Sequence, residues 1–243
     1  MVIQLDSGLP IGPEIDANPA VRPIRTDLSG RSGRFVTLVP LDLSHADDLY
    51  ALSHGNDMHR LWLYLAEGPF SDRESFKSYI EKRSASDDPM FFAIIDKETN
   101  RPVGHAAYMR IKPAHQVIEV GNILYTRAIS RKPGGTEAMY LMAHHAFERL
   151  HYNRYEWKCN ALNAPSRRAA LRLGFTFEGI FRQHMIQKGR RRDTAWFSML
   201  ASEWPARKAA FEKWLAPENF DENGRQKNTL GNLFTKIPPS GPL

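Results

Sequence analysis

The feature that most narrows the fold is a repeated change of apolar period between residues 34 and 217, with Pro- and Gly-containing stretches of no period on either side. Arg34 to Leu41 alternates as a strand, and Ser44 can cap a helix carrying Ala46, Leu49, Tyr50 and Leu52 on one stripe. Residues 71–83 predict a second helix, with Ser71 as cap, Glu74 completing a capping box, and Phe76, Tyr79 and Ile80 as the apolar face. Three strands follow, Met90 to Asp96, Val103 to Lys112 and Gln116 to Tyr125. A turn-rich segment, Thr126 to Gly135, leads into a helix on which Met139, Met142, Ala143, Ala146 and Leu150 recur at helical spacing. Arg154 to Asn160 is again strand, and Ala164 to Leu173 is a helix closed by Gly174. Phe175 to Gln187 and Asp193 to Leu200 can pair across the Lys188-Gly189-Arg190 turn. A last helix starts at Pro205 and presents Ala209, Phe211, Trp214 and Leu215. This order implies an α/β or α+β layer design with a mixed sheet.

Residues 1–33 read as an extended arm, 34–217 as the folded unit and 218–243 as an irregular tail. With 42% hydrophobic and 25% charged residues the chain is neither collagen, coiled coil nor bulk disorder, and its length allows a core without disulfide or metal staples. The single cysteine, Cys159, excludes an internal disulfide and a four-thiolate zinc site and suits a reducing compartment. No apolar run approaches the roughly 20 residues that span a bilayer, and the N-terminus lacks a secretory pattern, so the expected location is the cytoplasm and no membrane partner is expected. The formal charge of +6 favours anionic partners, leaving nucleic acid, acidic membrane and a phosphorylated cofactor to be separated by motif.

Two segments carry chemistry. Tyr125 to Ala138 is a strand end, a basic loop with Gly134 and Gly135, and a helix start. Free amides at a helix N-terminus beside Arg131 and Lys132 make an anion cradle; an ordinary strand-to-helix loop with solvated cations is the equal alternative. In the second segment, Asn163 caps the helix that Pro165 starts, Ser166 lies in its first turn, and Leu173-Gly174-Phe175 is followed by Glu178-Gly179.

Taken in order, the glycine-containing loop, Asn163-xx-Ser166 and the Gly174-Phe175 closure resemble the GCN5-related N-acetyltransferase (GNAT) superfamily over residues 34–200. Tyr155-Glu156-Trp157-Lys158, Asn163 to Ser166 and Lys188 to Thr194 are similar to the branch of ribosomal-protein N-terminal acetyltransferases. The loop departs from the family pattern: counted from Arg131, Thr136 replaces the last small residue, and counted back from Thr136, Pro133 stands where glycine is expected. The resemblance implies a largely antiparallel mixed sheet, splayed at its centre and flanked by helices, that moves an acetyl group from acetyl-CoA to a primary amine in a ternary complex. Pantetheine would bond to strand backbone at Ile123, Leu124 and Tyr125. Arg131, Lys132, Gly134, Gly135, Thr136 and Glu137 would hold the pyrophosphate, with Asn163 and Ser166 also near the cofactor.

An alkylamine is only about one part in a thousand neutral at pH 7, so the reaction needs a proton acceptor. Glu119 shares a strand face with Gly121, Ile123 and Tyr125 and can be that base; the competing role is an ion pair with Arg110 or another basic neighbour. An amide near Leu124 or Tyr125 can face the thioester oxygen, and Ser166 or Tyr125 can protonate the leaving thiolate. The acceptor is a small molecule or a protein N-terminal amine, and the aromatic final helix could pack on a second subunit as a homodimer. A non-catalytic RNA- or ribosome-binding module is the alternative, drawn from the arginines at 167–172 and 190–192, although acids intersperse them and no aromatic RNA-binding signature accompanies them, which disfavours nucleic acid. Cys159 reads as buried packing, His144 and His145 project about 100° apart and suit no metal, and none is expected. Lys188 to Arg192 reads as solvated turn charge, and Trp62, Tyr64 and Phe70 as core more than as acceptor pocket.

Overall fold

The computed structural model describes residues 3–4, 9–12, 14, 19–28, 31–56 and 58–234. Two short strands, β1 (Ile3–Gln4) and β2 (Pro10–Ile11), pair with each other apart from the main sheet. That sheet has eight strands: β3 (Arg31–Ser32), β4 (Val36–Pro40), β5 (Met90–Asp96), β6 (Arg101–Lys112), β7 (Val117–Tyr125), β8 (Arg154–Asn160), β9 (Thr176–Gln187) and β10 (Arg190–Leu200). Their order is β3-β4-β5-β6-β7-β8-β10-β9, and every pairing is antiparallel except β7 with β8.

Helices cover both faces. On one face lie α1 (Ala46–Ser53), α2 (His59–Trp62) and α3 (Arg73–Ser84); on the other α4 (Pro133–Glu148), with α5 (Ala164–Arg172), α6 (Trp204–Leu215) and α7 (Leu230–Phe234) contributing to the same core as α4. Strand β5 explains its own continuous apolar run: Phe91 and Ala93 join the core with Leu49, Trp62 and Phe76, while Phe92 and Ile94 join the core with Tyr108, Met142 and Ala146. The β9–β10 hairpin turns through Lys188 and Gly189, both at positive φ (49° and 70°), the conformation a two-residue turn needs to match strand twist.

Three expectations need correction. Asp42, two residues before Ser44, and Asp72, one residue after Ser71, are the capping residues: their carboxylates accept from the Ser44 and Ser75 amides at 2.8 Å, Asp42 on the single turn Leu43–His45 that leads into α1 and Asp72 on α3. The arm of residues 1–33 is partly core: Leu28 and Ala20 are buried, and the Val21 N–H donates to the Leu150 carbonyl at 2.9 Å. The segment after 217 is not irregular up to 234. Buried Asn219 organises residues 217–228, and Leu230 and Leu233 of α7 enter the main core.

One buried carboxylate ties the sheet edge to the loop that matters most below. Glu137, in the first turns of α4, accepts from the amides of Arg34, Phe35 and Val36 at 2.6, 2.7 and 2.8 Å. Its carboxyl lies so close to Gly33 that a Cβ there would overlap it. Removing that carboxylate orphans three amides, one of them fully buried, each at about 1–3 kcal/mol. Glu137→Ala should therefore lose about 3 kcal/mol or more in urea denaturation, and Glu137→Gln, which keeps one acceptor oxygen, clearly less. Equal stability of Glu137→Ala and the unchanged protein would show that the tie contributes nothing.

Candidate active site

The site is built where two neighbouring strands stop pairing. β7 and β8 are in register at Val117 with Arg154, Ile118 with Tyr155, Glu119 with Glu156 and Val120 with Trp157. The ladder then ends, although β7 runs on to Tyr125 and β8 to Asn160. Against β6, β7 advances three residues (Gly121 to Leu124) while β6 advances two (Ala107 to His105), and Asn122 takes φ 49°. Such a bulge bends the strand that carries it. β8 meanwhile stays paired with β10 along its whole length, Arg154 opposite Leu200 to Asn160 opposite Thr194. The two strands diverge into an open cleft of about 1600 Å³.

A buried charge cluster sits at the fork. Glu119, 3% exposed, lies 3.0 Å from the Lys158 ammonium and 3.1 Å from Arg110 Nε. Lys158 also meets Glu156 at 2.6 Å and stands 3.7 Å from the centre of the Trp196 ring. Burial pushes the Glu119 carboxyl above its ordinary range, and Lys158 is the strongest influence in the opposite direction. The pairing weighed from sequence is thus present, with Lys158 as an additional partner. Glu156 and Lys158 share one face of β8 by alternation, a visible signal, but only the register of β7 against β8 brings Glu119 to them. Among the described residues lining the cleft Glu119 is the sole carboxylate, and no histidine joins it.

At the far end lies the basic loop. Lys132 precedes α4 in extended conformation, Pro133 opens the helix, and Arg131 has φ 62°. The Lys132 amide donates to the Ile129 carbonyl and the Gly135 amide to that of Lys132, at 3.1 and 3.2 Å, so the expected run of free amides from Lys132 to Glu137 narrows; the Gly134 amide, like that of Arg131 before it, has no backbone acceptor among the described residues. Both glycines are required by packing: a Cβ on Gly134 would stand 2.8 Å from Val36 Cγ1, and one on Gly135 2.9 Å from the Tyr125 ring. Thr136 accepts from Arg172 at 2.9 Å. Glu137, whose amide the resemblance places at this cradle, is absent from the cleft lining, and its carboxylate is held by the three amides described above.

Other candidates divide in the same way. Tyr125 donates its hydroxyl to the Gly135 carbonyl at 2.6 Å, and burial raises its pKa; it braces the loop, with its proton directed at that carbonyl. Ser166 Oγ lines the cleft and accepts from Trp157 Nε1 at 3.0 Å, and its own O–H is a donor toward Cys159. Asn163 caps α5 by accepting from the Ser166 amide at 3.1 Å. Ile123 lines the cleft, whereas the Leu124 side chain is buried in the core beneath α1 and α3. Cys159 is buried, which raises its thiol pKa, with Ser166 opposing.

At the near end Leu61, Tyr64 and Met109 line the cleft, while Trp62 is wholly core. Lys188, expected as solvated turn charge, instead donates to the carbonyls of Trp62 and Gly68 at 2.7 and 2.5 Å. Gln187 donates to the Tyr64 carbonyl at 3.0 Å and accepts from Arg192 at 2.8 Å, so the hairpin roofs this end. Among the described residues no group of three or more His, Cys, Asp or Glu is arranged to hold a metal, and no helix is long and apolar enough to cross a membrane.

A family model described as "Acetyltransferase (GNAT) domain" matches residues 36–176, more than half of the chain. The chain belongs to the GNAT acetyltransferase family. A GCN5-related N-acetyltransferase from Brucella melitensis has a solved structure 50% identical to it, with TM-score 0.86, covering 89% of this chain and 97% of that one. A probable GNAT-family acetyltransferase from Chromobacterium violaceum ATCC 12472 is 36% identical with TM-score 0.72, over 82% of this chain and 100% of that one. A relative from Bacillus licheniformis, the uncharacterized N-acetyltransferase p20, is 28% identical over 70% of this chain and 94% of its own. The eight-stranded, mostly antiparallel sheet flanked by helices is the GNAT fold.

In this GNAT domain the fork depends on Lys158. Lys158→Met would leave Glu119 and Glu156 facing each other at a buried site with their shared cation gone, a loss of about 3 kcal/mol. Protonation relieves that repulsion, so the deficit in urea denaturation should be larger at pH 8 than at pH 5. A deficit independent of pH would mean that lost packing, not charge, is responsible.

Proposed function

We propose that the protein is an N-acetyltransferase that uses acetyl-CoA and transfers its acetyl group to a primary amine by direct attack in a ternary complex. The observation that carries this reading is the position of Glu119, the only carboxylate among the described residues of the cleft, at the point where β7 and β8 part. An extended thioester with a diphosphate suits the cleft: the backbone of 121–125 and 158–160 lacks a cross-strand partner in the gap, and the Arg131 and Gly134 amides stand beside Arg131 and Lys132 at its far end. Acetyl-CoA supplies the acetyl group as an activated thioester.

The chain's residues then have separate tasks. Glu119 takes a proton from the ammonium, directly or through water, and Lys158 and Arg110 keep it ionised despite burial. The amine nitrogen bonds to the acetyl carbon as the carbon–sulfur bond breaks; an amide of Leu124 or Tyr125 stabilises charge on the oxygen. Ser166 gives its proton to the departing thiolate; the Tyr125 hydroxyl, directed at the Gly135 carbonyl, is the less favoured donor. Kinship with the ribosomal-protein branch, resting on Tyr155 to Lys158 and Lys188 to Thr194, supports a protein N-terminal amine beside small amines as acceptors. Nothing favours the RNA-binding alternative: Arg172 bonds Thr136 and stacks over Trp214, and Arg168 lines the cleft.

Calorimetric titration with acetyl-CoA should show saturable binding; absence of binding at millimolar cofactor would end this reading. A rate that requires ionised Glu119 falls as pH drops through its raised pKa, so the acid limb should lie above the ordinary carboxylate range. Glu119→Gln should lower kcat by about 100-fold and lose that limb while keeping cofactor affinity. A Glu119→Gln variant with an unchanged pH profile would assign the base elsewhere.

A further inference from the structure

The segment after α6 forms a built wall at the basic end of the cleft, beyond the residues matched by the family model. The Asn219 side chain donates to the Trp214 and Asn228 carbonyls at 3.0 and 3.2 Å and accepts from the Asn228 amide at 2.9 Å. The Asp221 carboxylate accepts from the Asn223 and Arg225 amides at 2.9 and 2.8 Å, so this acid is engaged by its own loop. Trp214 Nε1 donates to Gln226 at 2.8 Å, and the Phe220 ring packs 5.9 Å from Phe35 and 5.4 Å from Trp214. The loop is therefore fixed against the residue that leads into β4 and against α6.

Its Arg225 lines the same cleft as Arg131, Lys132 and Arg168, and none of these four has an ion-pair partner among the described residues. The one carboxylate among the described residues of the cleft is at the fork. A diphosphate would engage Arg131, Lys132 and the two free amides, leaving Arg225 and Arg168 without an anion. Coenzyme A carries a second anionic group, its ribose 3′-phosphate, of about −1.5 to −2 charge at pH 7.

We propose that the loop of residues 217–228 recognises the 3′-phosphate of the coenzyme, with Arg225 and Arg168 as its ion-pair partners. This rests on the acetyl-CoA reading above. The loop needs no ordering on binding, so little of the attraction is offset by lost loop entropy.

Calorimetry of the full chain with coenzyme A and with 3′-dephospho-coenzyme A tests the assignment. The unchanged protein should bind coenzyme A about tenfold or more tighter, and Arg225→Gln and Arg168→Gln should each weaken coenzyme A about three- to tenfold while leaving the dephospho form unaffected. Equal affinity for the two ligands overturns the proposal, and that comparison requires no substitution to fold. So does a variant that weakens both ligands alike. Failure of the acetyl-CoA reading looks different: neither ligand binds the unchanged protein.

Discussion

Backbone polar groups at the centre of a sheet need partners, and this sheet withholds them at one place. Past Val120 and Trp157, β7 and β8 have no ladder between them, although both stay bonded to their outer neighbours, β6 and β10. The gap is held open from both sides, by the bulge at Asn122 and by the uninterrupted β8–β10 register. A polar ligand with an amide-rich arm can fill such a gap at little cost in reorganisation, since the strands already stand in position.

Around this opening the charges are sorted. The fork carries Glu119, Glu156 and Lys158, buried and mutually paired. The far end carries Arg131, Lys132, Arg168 and Arg225, without ion-pair partners among the described residues, while of the nearby acids Glu137 is turned to β4 and Asp221 into its own loop. Proton transfer and anion binding are thereby placed at opposite ends of one cleft. Glu137 links the two levels of organisation, since its bonds to Arg34, Phe35 and Val36 set the start of α4 against the sheet edge.

Much of this was legible in the chain because it is local. Alternation or a short apolar run marks β4 to β8, helical spacing and caps mark α3 to α6, and Lys188-Gly189 marks the hairpin turn. What was hidden depends on distant partners. The amides that bind the Glu137 carboxylate lie more than 100 positions away in the chain, so nothing in its neighbourhood signals that tie, and the resemblance implied only a cofactor contact there. The same holds for Lys158, whose role follows from strand register, and for Gly134 and Gly135, whose missing side chains make room for Val36 and Tyr125. The loop of 217–228 is polar and nearly aperiodic; a single buried asparagine organises it, and no periodicity reports that.

The most direct measurement of the central claim is hydrogen–deuterium exchange of the protein with and without saturating acetyl-CoA, resolved to the segments of β7, β8 and the loop before α4. The account predicts that new protection concentrates in residues 121–125, 158–160 and 131–136, with 117–120 already protected before ligand is added. Protection of 121–125 and 158–160 equal to that of 117–120 in the free protein, or ligand protection confined to other surfaces, would contradict it.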